Sequence, residues 1–206
     1  MYLTASLLPP HAITCDVHDF ATVNSAAALA DPERPTREPG GAQVLSLSSR
    51  NPYEVLPTER MAAELARFGY VATGEVDTVR SLVADLIAPH DTFTVSLGGS
   101  VHVDHVRQLI LVGLQGETDR LEEVVDALHA SVHRAGFARD RRRFRPMLPV
   151  LSFRPSLKLG ALVRTVEALE GYASDPWTVT SIGLVHRQLS GRDSVPIELD
   201  HLPFSA

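Results

Sequence analysis

The sequence predicts an α+β protein built on antiparallel sheets. Short apolar or alternating runs at 2–8, 92–97, 106–114, 147–153, 177–184 and 197–203 have the length and pattern of strands. Two longer segments, 77–87 and 118–135, repeat apolar residues at three- and four-residue spacing, as amphipathic helices do. The order strand–helix–strand–strand is used more than once, which favours antiparallel pairing over a strictly alternating parallel sheet.

Taken in chain order, residues 2–8 read as a buried strand stopped by Pro9-Pro10; they lack the basic start of a signal peptide. Residues 18–57 read as one long irregular insertion. Within it, 31–41 carries three prolines, two glycines and five charged residues, a loop composition; Gln43–Ser48 alternates like a short strand; and Asn51-Pro52-Tyr53 reopens a loop. Thr58–Phe68 is ambiguous. Thr58 suits an N-cap, Glu59 a first turn and Gly69 a C-terminal stop, so propensity alone gives a helix.

The helix at 77–87 rests on Val79, Leu82, Val83 and Leu86 and is closed by Pro89. Phe93, Val95 and Leu97 alternate with Thr92, Thr94 and Ser96 in a half-buried strand, and Gly98-Gly99 reads as a turn. Val106–Leu114 is apolar enough for a central strand. Leu121, Val124, Val125, Leu128 and Val132 form one face of the 118–135 helix, with Gly136 placed to end it. Met147–Phe153 is an apolar strand, 157–169 a helix, and the last two strands flank a turn at Ser190-Gly191-Arg192-Asp193.

Composition narrows the function classes. The 206 residues and 44% hydrophobic content support one domain, 1–206, with a substantial core. A net charge of −6 opposes indiscriminate nucleic-acid binding by the whole surface but leaves room for a local basic cleft. The single cysteine, Cys15, excludes an internal disulfide and a cysteine-based zinc site, and fits a reducing cytoplasm. No apolar run reaches the roughly 18 residues needed to span a bilayer, so no membrane partner is expected.

The stretch Phe144-Arg145-Pro146-Met147-Leu148-Pro149-Val150-Leu151 resembles the second signature of the two-histidine (2H) phosphoesterases, the 2′-5′ RNA ligase-like family. That signature usually reads Phe-Arg-Pro-His, an apolar residue, then Thr or Ser. Other parts resemble the family in order: Leu3 to Pro10; Ala66-Arg67-Phe68-Gly69-Tyr70-Val71 before the helix at 77–87; Phe93 to Gly99; Leu109 to Leu114 with the following helix; and Trp177 to Leu184 with Leu202-Pro203-Phe204. The resemblance implies two pseudo-symmetric lobes, each an antiparallel sheet with helices on its outer face, and a cleft between them. It also makes 65–71 a strand, against the helix that propensity favours.

In the family, two His-x-Thr/Ser motifs face each other across the cleft. One imidazole takes a proton from the attacking group and the other gives one to the leaving oxygen. The hydroxyls hold phosphate oxygens, and no metal or cofactor is required. Carried onto this chain, the motifs fall on Ala62-Ala63-Glu64 and Met147-Leu148-Pro149. Ala62, Glu64, Met147 and Pro149 supply neither imidazole nor hydroxyl, and Glu64 places an anion where a phosphate would sit. The resemblance therefore implies an impaired, pseudoenzyme-like member that binds a nucleotide or RNA end. An active phosphodiesterase using displaced histidines and a protein-interaction role stay open, as does the oligomeric state.

His90, in a literal His-Asp-Thr, His102 and His105 around Asp104, and His186 form the pool for displaced catalysis. An extended chain sends His102 and His105 to opposite faces, which argues against a metal site there. His201 lies near the last strand, and His129 and His133 share a helix face without a His-Glu-x-x-His pattern, reading as a solvent-facing or partly packed pair. Arg139, Arg141, Arg142, Arg143 and Arg145 make a basic run before the second motif. Guanidinium forks suit phosphate, so Arg143 and Arg145, with Arg67 and Arg154, are the expected ligand-binding residues.

Overall fold

A computed structural model describes residues 1–30, 52–137, 143–190 and 193–205. Two antiparallel sheets form its two lobes. The strands are β1 (Tyr2–Leu7), β2 (Tyr53–Val55), β3 (Ala63–Tyr70), β4 (Phe93–Asp104), β5 (Leu109–Gly116), β6 (Met147–Phe153), β7 (Trp177–Val179), β8 (Ser181–Ser190) and β9 (Asp193–Pro203). The helices are α1 (His11–Leu29), α2 (Val76–Ile87), α3 (Thr118–Arg134) and α4 (Leu159–Glu170). One sheet runs β3-β1-β8-β9, and the other β2-β6-β5-β4-β7.

Two of the four helices, α1 and α3, are exchanged between lobes. Helix α1 follows a strand of the first sheet but packs on α4, β2 and β6 of the second; α3 follows β5 of the second but packs on β3 and α2 of the first. The apolar face read from the sequence explains α3: Leu121, Val124, Val125, Leu128 and Val132 are all buried. Helix α2 buries Val76, Val79, Val83 and Ile87, so its stripe is turned slightly from the one expected. No helix among the described residues is long and apolar enough to cross a membrane.

Several elements differ from expectation. Of the two readings for Thr58–Phe68, the strand implied by the resemblance holds and the helix of propensity does not: 58–60 is a single 3₁₀ turn, and β3 pairs with β1 from Leu7↔Ala63 to Tyr2↔Tyr70. Sheet pairing overrides local propensity here, because β3 buries Leu65, Ala66 and Phe68. The 18–57 segment is not irregular throughout. It contains most of α1 and the short edge strand β2. The buried face of α1 is built from Ile13, Thr14, Val17, Ala21, Ser25 and Ala28, small and partly polar side chains that give a weak hydrophobic period.

Gly98-Gly99 is not a turn but a bulge within β4, where pairing with β5 shifts register between Leu97 and Val101. Both glycines have positive φ, 143° and 72°, and a Cβ on Gly98 would lie 2.7 Å from the Tyr172 carbonyl oxygen. The run 177–184 divides at Thr180: β7 pairs with β4 in the second sheet, and β8 with β1 and β9 in the first. Strand β5 starts at Leu109, after a hairpin in which Asp104 accepts from the Val106 and Arg107 amides at 3.0 and 2.9 Å. The loop 31–41, the strand at Gln43–Ser48, Asn51, the arginines 139, 141 and 142, and the Gly191-Arg192 turn lie outside the described residues.

Candidate functional site

Between the lobes lies a cleft of about 820 Å³, lined from both sheets. All four positions that resemble the family motifs meet in it. Ala62 and Glu64 enter from the start of β3, and Met147 and Pro149 from β6. Pro149 sits beside a register shift between β5 and β6, a place where a strand tolerates the missing N–H.

On the first sheet, register places the cleft-facing residues. Ser6 lies opposite Glu64, Thr4 opposite Arg67, and Tyr2 opposite Arg187, so these side chains share one face. The Glu64 carboxylate accepts from Arg67 Nε and lies 3.5 Å from Arg187 Nη2. The anion expected to oppose phosphate is thus held between two guanidinium groups. The wall from the second sheet consists of His102 and Asp104 on β4, Leu109 and Leu111 on β5, and the 143–149 segment. Arg145 Nη1 reaches to 3.1 Å from His102 Nε2. The same guanidinium nitrogen lies 3.4 Å from His102 Nδ1, so Arg145 faces both ring nitrogens.

The lining includes six arginines, 60, 67, 107, 143, 145 and 187, against the carboxylates Glu64 and Asp104. A chain of net charge −6 therefore concentrates positive charge in its central cleft. Hydrogen bonds from the Arg107 and Val106 amides, aided by the Arg107 guanidinium and His102, hold the Asp104 carboxyl below the usual carboxylate range. Between the charges lies apolar surface from Leu56, Leu65, Phe144 and Met147.

The other sequence candidates are scattered. Arg154 lines a separate hollow with Pro52, Tyr53, Glu54 and Arg107, not the cleft expected for it. His105 lies in the β4–β5 hairpin with its ring against Phe153. His186 neighbours Arg187 on β8 and points to the opposite face. His90 follows α2, and its carbonyl accepts from the Ser205 amide. Of the histidine pool only His102 lines the cleft.

Sequence reasoning missed four basic cleft residues, Arg60, Arg107, His129 and Arg187. His129 reaches past the edge of β3, its Nε2 lying 2.9 Å from the Leu65 carbonyl oxygen, so the ring donates there. Arg60 and Arg187 also line the cleft. The only advance signal for Arg187 is alternation along β8, which needs strand register. Among the described residues, no three His, Cys, Asp or Glu side chains come together as a metal-binding group.

No protein-family model matches the sequence, and no curated protein is similar to it. Solved structures are. E. coli LigT complexed with 3′-AMP superposes with a TM-score of 0.70 at 12% identity, covering 100% of this chain and 98% of that one. TT0787 of Thermus thermophilus gives 0.68 at 14% identity, covering 99% and 98%. Usb1 of Kluyveromyces marxianus gives 0.50 at 13% identity, covering 96% and 97%. These are 2H phosphoesterases, and the chain has their two-lobed fold.

Proposed function

We propose that this chain, built on the 2H phosphoesterase fold, is a phosphate-end binding protein that does not carry out that fold's two-histidine reaction. Its ligand is a nucleotide or an RNA terminus. The observation that carries this reading is one cleft in which six arginines surround Ala62, Glu64, Met147 and Pro149. Arginine forks bind phosphate oxygens. Methyl, thioether and pyrrolidine groups carry no proton, so the paired acid and base are absent from the motif positions. Structures of E. coli LigT with 3′-AMP, ATP, NADP+ and phosphate show phosphate-bearing ligands on the same fold and support the ligand class. The test is calorimetry with 3′-AMP beside an assay for hydrolysis of a 2′,3′-cyclic nucleotide. Binding without turnover is expected, and efficient turnover overturns the reading.

A second reading, an active phosphodiesterase, draws on one observation: two imidazoles, His102 and His129, do line the cleft. Each already engages a neighbour, Arg145 and the Leu65 carbonyl respectively. This reading requires turnover that His102→Ala removes.

A further inference from the structure

We infer that Glu64 is a specificity-determining residue, a built-in anion that fills one of the cleft's arginine anchor points and restricts the cleft to ligands with a single phosphate. The inference rests on the phosphate-binding reading above and deepens it.

Five of the six cleft arginines, all but Arg60, form two groups. Arg67 and Arg187 belong to the first sheet, on β3 and β8, while Arg107, Arg143 and Arg145 belong to the hairpin and the segment before β6. Without Glu64, each group would offer guanidinium forks to one phosphate, and a ligand with two separated phosphates would bridge the lobes. Glu64 changes the first group. Its two oxygens go to different arginines, Oε1 to Arg67 Nε and Oε2 to Arg187 Nη2 at 3.5 Å. The carboxylate is also deeper than the groups it bridges, its side chain 17% exposed against 28% for Arg67 and 30% for Arg187. Solvent screens this carboxylate less than a fully exposed charge.

The anchor is occupied but not saturated. Arg187 Nε is buried and has no hydrogen-bond partner among the described residues. A phosphate oxygen approaching the accessible part of this guanidinium would come close to Glu64 Oε2, and like charges at that range oppose binding. A neutral hydroxyl or carbonyl oxygen meets no such repulsion. In the second group Asp104 lies 3.9 Å from Arg107 Nε, whereas Arg145 faces the His102 ring and not a carboxylate. One phosphate therefore goes to the Arg145 side, and the Arg67–Arg187 side takes an uncharged part of the ligand.

The test compares adenosine 3′-monophosphate with adenosine 3′,5′-bisphosphate, two probes that differ by one phosphate. Calorimetry is run on the wild type, Glu64→Gln and Glu64→Gln/Arg187→Ala. The wild type is expected to bind the two within about threefold of each other, and Glu64→Gln to prefer the bisphosphate by about tenfold or more, the scale of one added charge-assisted hydrogen bond. The double variant is expected to lose that preference. A wild-type preference for the bisphosphate of tenfold or more overturns the inference without any variant. So does a folded Glu64→Gln protein whose ratio is unchanged. Failure of the wild type to bind either probe overturns the phosphate-binding reading instead, and Glu64 keeps its assignment only if Glu64→Gln then gains bisphosphate binding. Thermal melts of each variant separate lost contacts from lost folding.

Discussion

Replacing Arg145 with alanine separates binding by the cleft from binding by overall charge. Arg145 is exposed at the cleft mouth, and its hydrogen-bond partner is His102 at 3.1 Å. Its removal should leave the fold intact, because an exposed side chain away from the core changes stability by no more than about 0.5 kcal/mol. For a chain of this size that moves Tm by about 1–2 °C. Loss of one charge-assisted fork to phosphate costs about 1.5–3 kcal/mol, a weakening of Kd of roughly 10- to 150-fold. Arg145→Lys keeps the charge but not the planar fork and should fall between. The control is Arg154→Ala, which removes the same charge from a residue outside the cleft. Calorimetry with 3′-AMP at fixed ionic strength reads all three. If Arg145→Ala and Arg154→Ala weaken binding equally, the ligand is responding to net charge, and the cleft assignment is wrong.

Two further predictions concern the frame around the cleft. Gly98→Ala should destabilise by about 2–4 kcal/mol, since it forces a side chain into positive φ and against a carbonyl oxygen; a melt of a well-folded variant within about 2 °C of the wild type would refute the bulge. Asp104→Ala should weaken the β4–β5 hairpin in a pH-dependent way. The Asp104 carboxyl is held below the usual range in the folded protein, so its contribution is full above the ordinary carboxylate pKa, near 4, and fades as pH falls through the folded value. The Tm gap between wild type and variant should be largest near neutral pH and close in acid, and a gap that widens on acidification contradicts the Asp104 turn.

How much the sequence disclosed depended on how local the signal was. Helix α3 was legible because five large aliphatic residues mark one face. Helix α1 was not, because beyond Ile13 and Val17 its buried face relies on alanine, threonine and serine, which give a weak hydrophobic period. The segment 58–68 carries helical end signals, yet its strand exists because β1 offers an antiparallel partner more than 50 residues away in sequence. The site followed the same rule. Arg145 and Met147 were found because they sit inside a contiguous motif. Arg187 and His129 join the cleft only through β8 register and the docking of α3 against β3. The charge of Glu64 was legible and its pairing with Arg187 was not, because Arg187 lies on a strand remote in sequence.

Restoring the motifs tests whether binding and proton transfer are separable in this cleft. Phosphate attraction needs fixed positive charge, which six arginines supply; phosphodiester cleavage also needs one group to take a proton and another to give one. Each such transfer contributes about 10²–10⁴-fold, and groups that act as a unit lose nearly everything when either is missing. The quadruple change Ala62→His, Glu64→Thr, Met147→His and Pro149→Thr should therefore produce measurable 2′,3′-cyclic nucleotide hydrolysis, about 10²-fold or more above the wild type. The half-restored Met147→His/Pro149→Thr protein should remain at background, because Ala62 still faces it without a proton carrier. Equal activity in the half- and fully restored proteins would mean that another imidazole completes the pair. His102 and His129 are the imidazoles seen in the cleft, so His102→Ala and His129→Ala in the half-restored background would identify the donor and replace the binding-only reading with a catalytic one.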